Sequence, residues 1–172
     1  MFKKLLFIGL GGAGQRHLRI FRESLKNLNT EFIAYRSTGK TPLLNKDFTV
    51  NSNDSIDSFY NIKIYDDLNN AIAQKPDLAI ISTPTSTHMK FIKICIENKI
   101  SVFVEKPFSH SLDNFDFISN YVIKNKLFFY VSMQRRFHPL IQEISKIIKN
   151  KEIGEIINVQ FNVNSYVPDW HK

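Results

Sequence analysis

The sequence predicts an α/β fold, a doubly wound parallel sheet followed by the first strand of a second, incomplete α/β domain. Three observations carry this expectation. Strand-like and helix-like runs alternate from Leu5 to Asn150. The strand-like runs are near-continuously apolar rather than alternating, as parallel strands covered on both faces must be. A G-x-G-x-x-G pattern at Gly9, Gly11 and Gly14 stands between the first strand-like run and the first helical one.

Taken in order, "LLFIG" (5–9) reads as a strand, and 13–27 as a helix with Leu18, Phe21 and Leu25 at helical spacing. "EFIAY" (31–35) is a second strand. The polar stretch 36–55 has no sustained period and is expected to be a loop. "IKIY" (62–65) is a short strand, and 66–75 a helix that Pro76 stops. "LAIIST" (78–83) is a strand, followed by a helix capped around Ser86 or Thr87. "SVFVE" (101–105) is a strand, 111–125 a helix with Ser111 as its cap, "LFFYVSM" (127–133) a strand and 139–150 a helix. From Ile156 to Tyr166 the pattern changes. Val159, Phe161 and Val163 alternate with Asn158, Gln160, Asn162 and Asn164, as in a half-exposed antiparallel strand. The expected division is a dinucleotide-binding domain over 1–135, then a linking helix and the start of a second domain over 136–172.

The chain has 172 residues, enough for one domain with a real core. Its one cysteine, Cys95, excludes an internal disulfide and fits a reducing, cytoplasmic setting. With Phe91 and Ile92 it lies on the apolar side of its helix and reads as a packing residue. The formal net charge is +7, but the longest cationic runs are the pairs Lys3-Lys4 and Arg135-Arg136. That dispersal describes a solvated surface rather than a nucleic-acid footprint. No apolar run approaches the roughly 18 residues of a membrane span.

The opening "KKLLFIGLGGAG" also has the look of a secretory leader. Its apolar part is too short for that role and already contains Gly9, and a helix follows directly. The dinucleotide reading is therefore preferred. Gly9 permits a tight turn, Gly11 lets backbone approach a pyrophosphate, and Gly14 lets helix and strand pack closely. The helix N-terminus offers free N–H groups to the phosphates.

An NAD site places an acid at the end of the second strand, for the ribose 2′-hydroxyl. Here that strand runs into "AYRSTGK", with Arg36, Ser37 and Lys40 and no acid. A guanidinium beside a hydroxyl suits a 2′-phosphate, so NADP is favoured over NAD. "AYRSTGKT" (34–41) also fits a relaxed phosphate-loop pattern, but that loop must open a helix and Pro42 follows at once.

Two further segments, "STPTSTH" (82–88) and "EKP" (105–107), close the fourth and fifth strands. Ligands of open α/β sheets bind outside the carboxyl ends of the strands. Lys106 in that setting is a candidate for proton transfer, though an isolated Lys-Pro is commonly an ordinary loop. No cysteine pair, His-x-x-x-His or carboxylate cluster suggests a metal, and no G-x-S-x-G suggests a serine nucleophile.

"GLGGAGQRHL", "STPTSTH", "VEKP" and "QRRFHP" in this order resemble the Gfo/Idh/MocA family of NAD(P)-dependent oxidoreductases. The resemblance implies hydride transfer between nicotinamide and a sugar-type substrate, with Lys106 as the catalytic lysine. It implies that Gly9, Gly11, Gly12, Ala13, Gly14, Thr83, Pro84, Thr85, His88, Glu105 and Lys106 bind the cofactor, together with the Arg36 and Ser37 already read from the end of the second strand. Gln134 and Arg135 are placed near the nicotinamide. The likeness is nearest to members of bacterial surface-sugar pathways. Family members carry a second α/β domain that supplies an Asp and a His to the site. This chain stops at "YVPDWHK", although Trp170 resembles a family tryptophan near the cofactor. The substrate half is therefore expected to be absent, and strand 156–166 to self-associate or to recruit a separate C-terminal half. A non-catalytic NAD(P)-binding or docking module is the alternative.

Overall fold

The computed structural model describes residues 2–36 and 41–164. It divides into two compact units, Met1–Met133 and Gln134–Lys172.

The first unit is built on a six-stranded sheet. Its elements in chain order are β1 (Lys4–Ile8), α1 (Gly12–Ser24), β2 (Glu31–Tyr35), β3 (Leu43–Leu44), β4 (Val50–Asn51), α2 (Ile56–Tyr60) and β5 (Lys63–Tyr65). Then come α3 (Leu68–Ile72), β6 (Leu78–Ile81), α4 (Thr85–Glu97), β7 (Ser101–Val104), α5 (Phe115–Asn125) and β8 (Phe129–Val131). The sheet order is β5-β2-β1-β6-β7-β8, and every pairing in it is parallel. Successive strands step outward from β1 to one edge and then from β6 to the other, the dinucleotide-fold order with its reversal between β1 and β6.

The apolar runs bury both faces. Leu6 and Ile8 join Ala79, Ile81, Ile92, Ile96, Val102 and Val104 on one side. Leu5 and Phe7 join Leu18, Ala34, Ile56 and Ile80 on the other. Cys95 is fully buried in the first layer, and burial pushes its thiol up to about 12.

Three expectations change in detail. The stretch read as a loop contains the two-stranded hairpin β3–β4, and its last residue, Ser55, is the N-cap of the following helix α2, accepting from the Ser58 N–H. Strands of two residues are too short to show a period. Helix α4 begins at Thr85 after Pro84, without a side-chain cap, because Pro84 already sets the extended entry to the helix. Ser111 caps a turn, accepting from the Asp113 N–H at 2.9 Å, while α5 starts later behind Asn114, whose φ is +63°.

The second unit opens with a short 3-10 turn, Gln134–Phe137. Helix α6 (Pro139–Lys149) follows, with His138 as N-cap, close to the expected 139–150. Residues 156–164 have no strand pairing. Their alternation defines an apolar face, but a strand also needs a ladder partner, and none stands beside it among the described residues. Tyr166 and Trp170 lie outside the described residues.

Candidate dinucleotide site

Parallel register gathers the motifs at one edge of the sheet. Ile8 pairs with Tyr35 and with Ile81, and Ile81 pairs with Val104. The residues that follow are Gly9, Arg36, Ser82 and Glu105, so four separate loops leave the same edge side by side. Backbone bonds tie them there: Ser82 N to Ile8 O at 3.0 Å, Glu105 N to Ile81 O at 2.9 Å, and Gly9 N to Tyr35 O at 3.1 Å.

Each glycine meets a different constraint. Gly9 has φ +91°, and a Cβ there would also lie 2.9 Å from Thr83 Cγ2. Gly14 has no room for a side chain, because its Cβ would run into the Gly9 carbonyl. Gly11 is the opposite case, since a Cβ on it meets nothing within 4 Å. The open face lies at the N-cap of α1. The first helical bond there runs from Gln15 N to Gly11 O at 2.9 Å. The N–H groups of Gly12, Ala13 and Gly14 thus have no acceptor within the helix. Together they form a cradle that suits a pyrophosphate, next to the switch point between β1 and β6.

A cleft of about 360 Å³ opens here, lined by Gly9, Gly11, Tyr35, Arg36, Thr83 and Pro84 among others. Thr85 is the first residue of α4, half-buried beside it. Arg36 donates to Thr41 O at 3.4 Å and lines both this cleft and a second one of about 480 Å³ that also contains Asp54 and Asp57. Asp57 is held below the ordinary carboxyl range, first by its hydrogen bond with Ser55 and lastly by the Arg36 charge. The expected sites at Ser37 and Lys40 lie outside the described residues. No helix opens after Thr41, where β3 follows, so the phosphate-loop geometry is absent there.

Two predicted residues work from behind the site rather than inside it. His88 is 1% exposed. Its Nε2 lies 2.8 Å from Thr83 O and its Nδ1 3.0 Å from Pro107 O. A carbonyl only accepts, so the ring nitrogen that carries the proton donates to the carbonyl facing it. His88 thereby joins the loop after β6 to the loop after β7. Glu105 is also buried. Its Oε1 accepts from His17 Nε2 at 2.6 Å and from Arg16 Nη2 at 3.1 Å, and its Oε2 from the Lys106 N–H at 3.1 Å. Burial opposes the charge on Glu105. The hydrogen bond and charge of His17, the Lys106 N–H and Arg16 outweigh it and hold the carboxyl below its ordinary value.

Lys106 itself is exposed, and its ammonium has no hydrogen bond or ion pair among the described residues. It follows β7, two strands from β1, roughly 10 Å away along the sheet edge. Gln134 and Arg135 fall in the second unit, in its 3-10 turn. No group of three metal-ligating side chains occurs among the described residues. No helix among them is long and apolar enough to cross a membrane.

Sequence reasoning missed Arg16 and His17, which hold Glu105, and the buried Gln15. Gln15 Nε2 donates to Leu10 O at 3.0 Å and to Pro42 O at 2.9 Å, and its Oε1 accepts from Leu44 N at 2.8 Å. A polar residue on the inward side of a helix was the available signal.

A parallel sheet in this order, with a glycine turn open at its switch point, defines a dinucleotide-binding α/β domain. Residues 3–133 match the family model described as an oxidoreductase family with an NAD-binding Rossmann fold, and the chain belongs to this Gfo/Idh/MocA family. Over 78 residues it is 38% identical to the uncharacterized oxidoreductase YrbE of Bacillus subtilis, covering 45% of this chain and 23% of that protein. Over 81 residues it is 38% identical to scyllo-inositol 2-dehydrogenase (NAD(+)) of the same organism, covering 47% and 24%. Among solved structures, the WlbA dehydrogenase from Chromobacterium violaceum, in complex with NADH and UDP-GlcNAcA, has the same fold. Its TM-score is 0.73 at 18% identity, covering 88% of this chain and 41% of that one. Myo-inositol 2-dehydrogenase from Lactobacillus plantarum gives a TM-score of 0.72 at 21% identity, covering 90% and 43%. The chain thus spans less than half the length of these solved relatives.

Proposed function

We propose that this chain is the cofactor-binding portion of a dehydrogenase that oxidises a carbinol of a sugar, polyol or nucleotide sugar. The observation that carries the reading is the unfilled space at Gly11, bordered by free helix N–H groups and set on the same sheet edge as Lys106. When bound, the nicotinamide cofactor supplies the hydride acceptor for an alcohol-to-ketone oxidation. The chain's own groups bind and orient. The α1 N-terminus holds the pyrophosphate, and Thr83 and Pro84 form the wall across the cleft. In its neutral amine form the exposed Lys106 Nζ takes the hydroxyl proton of the substrate and becomes the ammonium, as the carbinol hydrogen leaves as hydride to the nicotinamide. Glu105 and His88 hold the loop that carries it.

Arg36 after β2, with no acid at that point, supports NADP over NAD. A substrate-binding portion, in continuation or as a separate chain, completes the site, and the apolar face of 156–166 is the segment suited to meet it. A role in surface-sugar synthesis accords with the substrate class.

The test is a fluorescence titration of NADPH and NADH into the parent and Arg36→Ala. NADPH is expected to bind the parent more tightly, and the variant to lose about 1.5–3 kcal/mol of that preference, as one charge-assisted contact disappears. Equal affinities for both cofactors in the parent would contradict the NADP assignment. Turnover of a sugar panel with the substrate portion supplied, abolished in Lys106→Ala with cofactor binding retained, separates the dehydrogenase from a non-catalytic module.

A further inference from the structure

The hairpin β3–β4 lies against the phosphate-binding turn and is fastened to it. The buried Gln15, one turn into α1, holds Pro42 O and Leu44 N through its side-chain amide. Arg19 Nη1, one turn further along the helix, donates to Leu44 O at 3.2 Å. The hairpin tip is braced within itself. Asn45 N donates to Thr49 O at 2.9 Å, Phe48 N to Asn45 O at 3.1 Å, and the Thr49 N–H and hydroxyl both donate to Asp47 Oδ1.

This brace holds Phe48 at φ +68°, a left-handed backbone that bulky side chains rarely adopt. Its ring is half exposed rather than buried in a core. One edge of the ring nevertheless packs on the helix start. A methyl group on Gly12 would lie 3.2 Å from both Cδ1 and Cε1 of Phe48, and 3.9 Å from Leu44 Cδ1. Gly12 is the residue after the open Gly11, so the ring borders the phosphate cradle without filling it.

We propose that the hairpin is a fixed cap on the phosphate turn, and that Phe48 at its tip shields the bound pyrophosphate from water and slows release of the dinucleotide. Strained backbone that places a wet aromatic ring beside a ligand cradle is the kind of cost retained at ligand clamps. An apolar wall there lowers the local dielectric, and so strengthens the contacts from the helix N–H groups to the phosphates. The absence of a side chain at Gly12 makes room for the ring. This inference rests on the dinucleotide reading above.

The experiment is stopped-flow release of bound NADPH from the 172-residue chain, with a thermal melt of each variant. Phe48→Gly removes the ring and relieves the left-handed backbone. Its melting temperature should hold or rise, while release accelerates roughly fivefold, as expected for losing part of an aromatic ring's contact area. Phe48→Asn, also tolerant of that backbone, should release as fast, and Phe48→Tyr should release like the parent. ADP-ribose, which has the pyrophosphate but no nicotinamide, should lose affinity by a similar factor in Phe48→Gly. A folded Phe48→Gly and Phe48→Asn that both release NADPH within about twofold of a binding-competent parent would overturn the cap while leaving the dinucleotide site intact. A parent that binds no dinucleotide would overturn both.

Discussion

Residues 4–133 and residues 134–164 treat their apolar side chains in opposite ways. Leu5, Leu6, Phe7 and Ile8 of β1 are all fully buried, because parallel neighbours flank the strand and helices cover both of its faces. In the second unit, Leu140 on α6 is 67% exposed, Phe161 is 67% exposed and Ile157 is 98% exposed. The patterns are of equal quality. Helix α6 has an apolar stripe, Leu140, Ile144 and Ile148, and 159–163 alternates cleanly. A pattern supplies a face, and only a neighbour buries it.

The contrast extends to polar groups. At the sheet edge Glu105 is buried against Arg16 and His17, whereas the ion pair of α6, Lys146 with Glu143, is a solvent-exposed pair three residues apart. The first is expected to matter far more. Glu105→Gln should destabilise the chain by about 2 kcal/mol at neutral pH, because Arg16 and His17 are left facing a neutral group. The sign with pH follows from the direction of the shift. The native carboxyl titrates below its ordinary value of 4.5, so its contribution is complete above that value and is lost as pH falls through the lower native one. Urea unfolding should therefore show parent and variant converging below pH 4.5. A gap that stays constant under acid would contradict the network.

The smaller expected effect lies in the other region. Val159→Ser with Phe161→Ser should change unfolding of the first unit by no more than about 0.5 kcal/mol. The same pair should reduce association of the chain with itself or with a supplied substrate portion, read by sedimentation velocity. A marked loss of stability would mean that these side chains already have a partner within the chain.

The sheet was legible from composition along each strand, because doubly covered strands leave no polar alternation to mistake. The glycine turn was legible from spacing, and Gly9, Gly11 and Gly14 each have the environment the motif requires. What escaped was set by distance along the chain. Glu105 and His17 are 88 residues apart, and only the step from β1 through β6 to β7 brings them together. The hairpin escaped for the opposite reason, since two-residue strands carry no readable period. His88 was legible as part of a motif, but its place behind the site depends on two carbonyls that no side-chain letter encodes.

The central claim is that the open face of Gly11 receives a dinucleotide phosphate. Calorimetric titration of NADPH into the parent and Gly11→Val tests it most directly. The valine has free space and an ordinary extended backbone at φ −69°, so the fold should melt at the parent's temperature. The account predicts heat of binding in the parent and none in the variant. A folded Gly11→Val that binds NADPH as the parent does would contradict it.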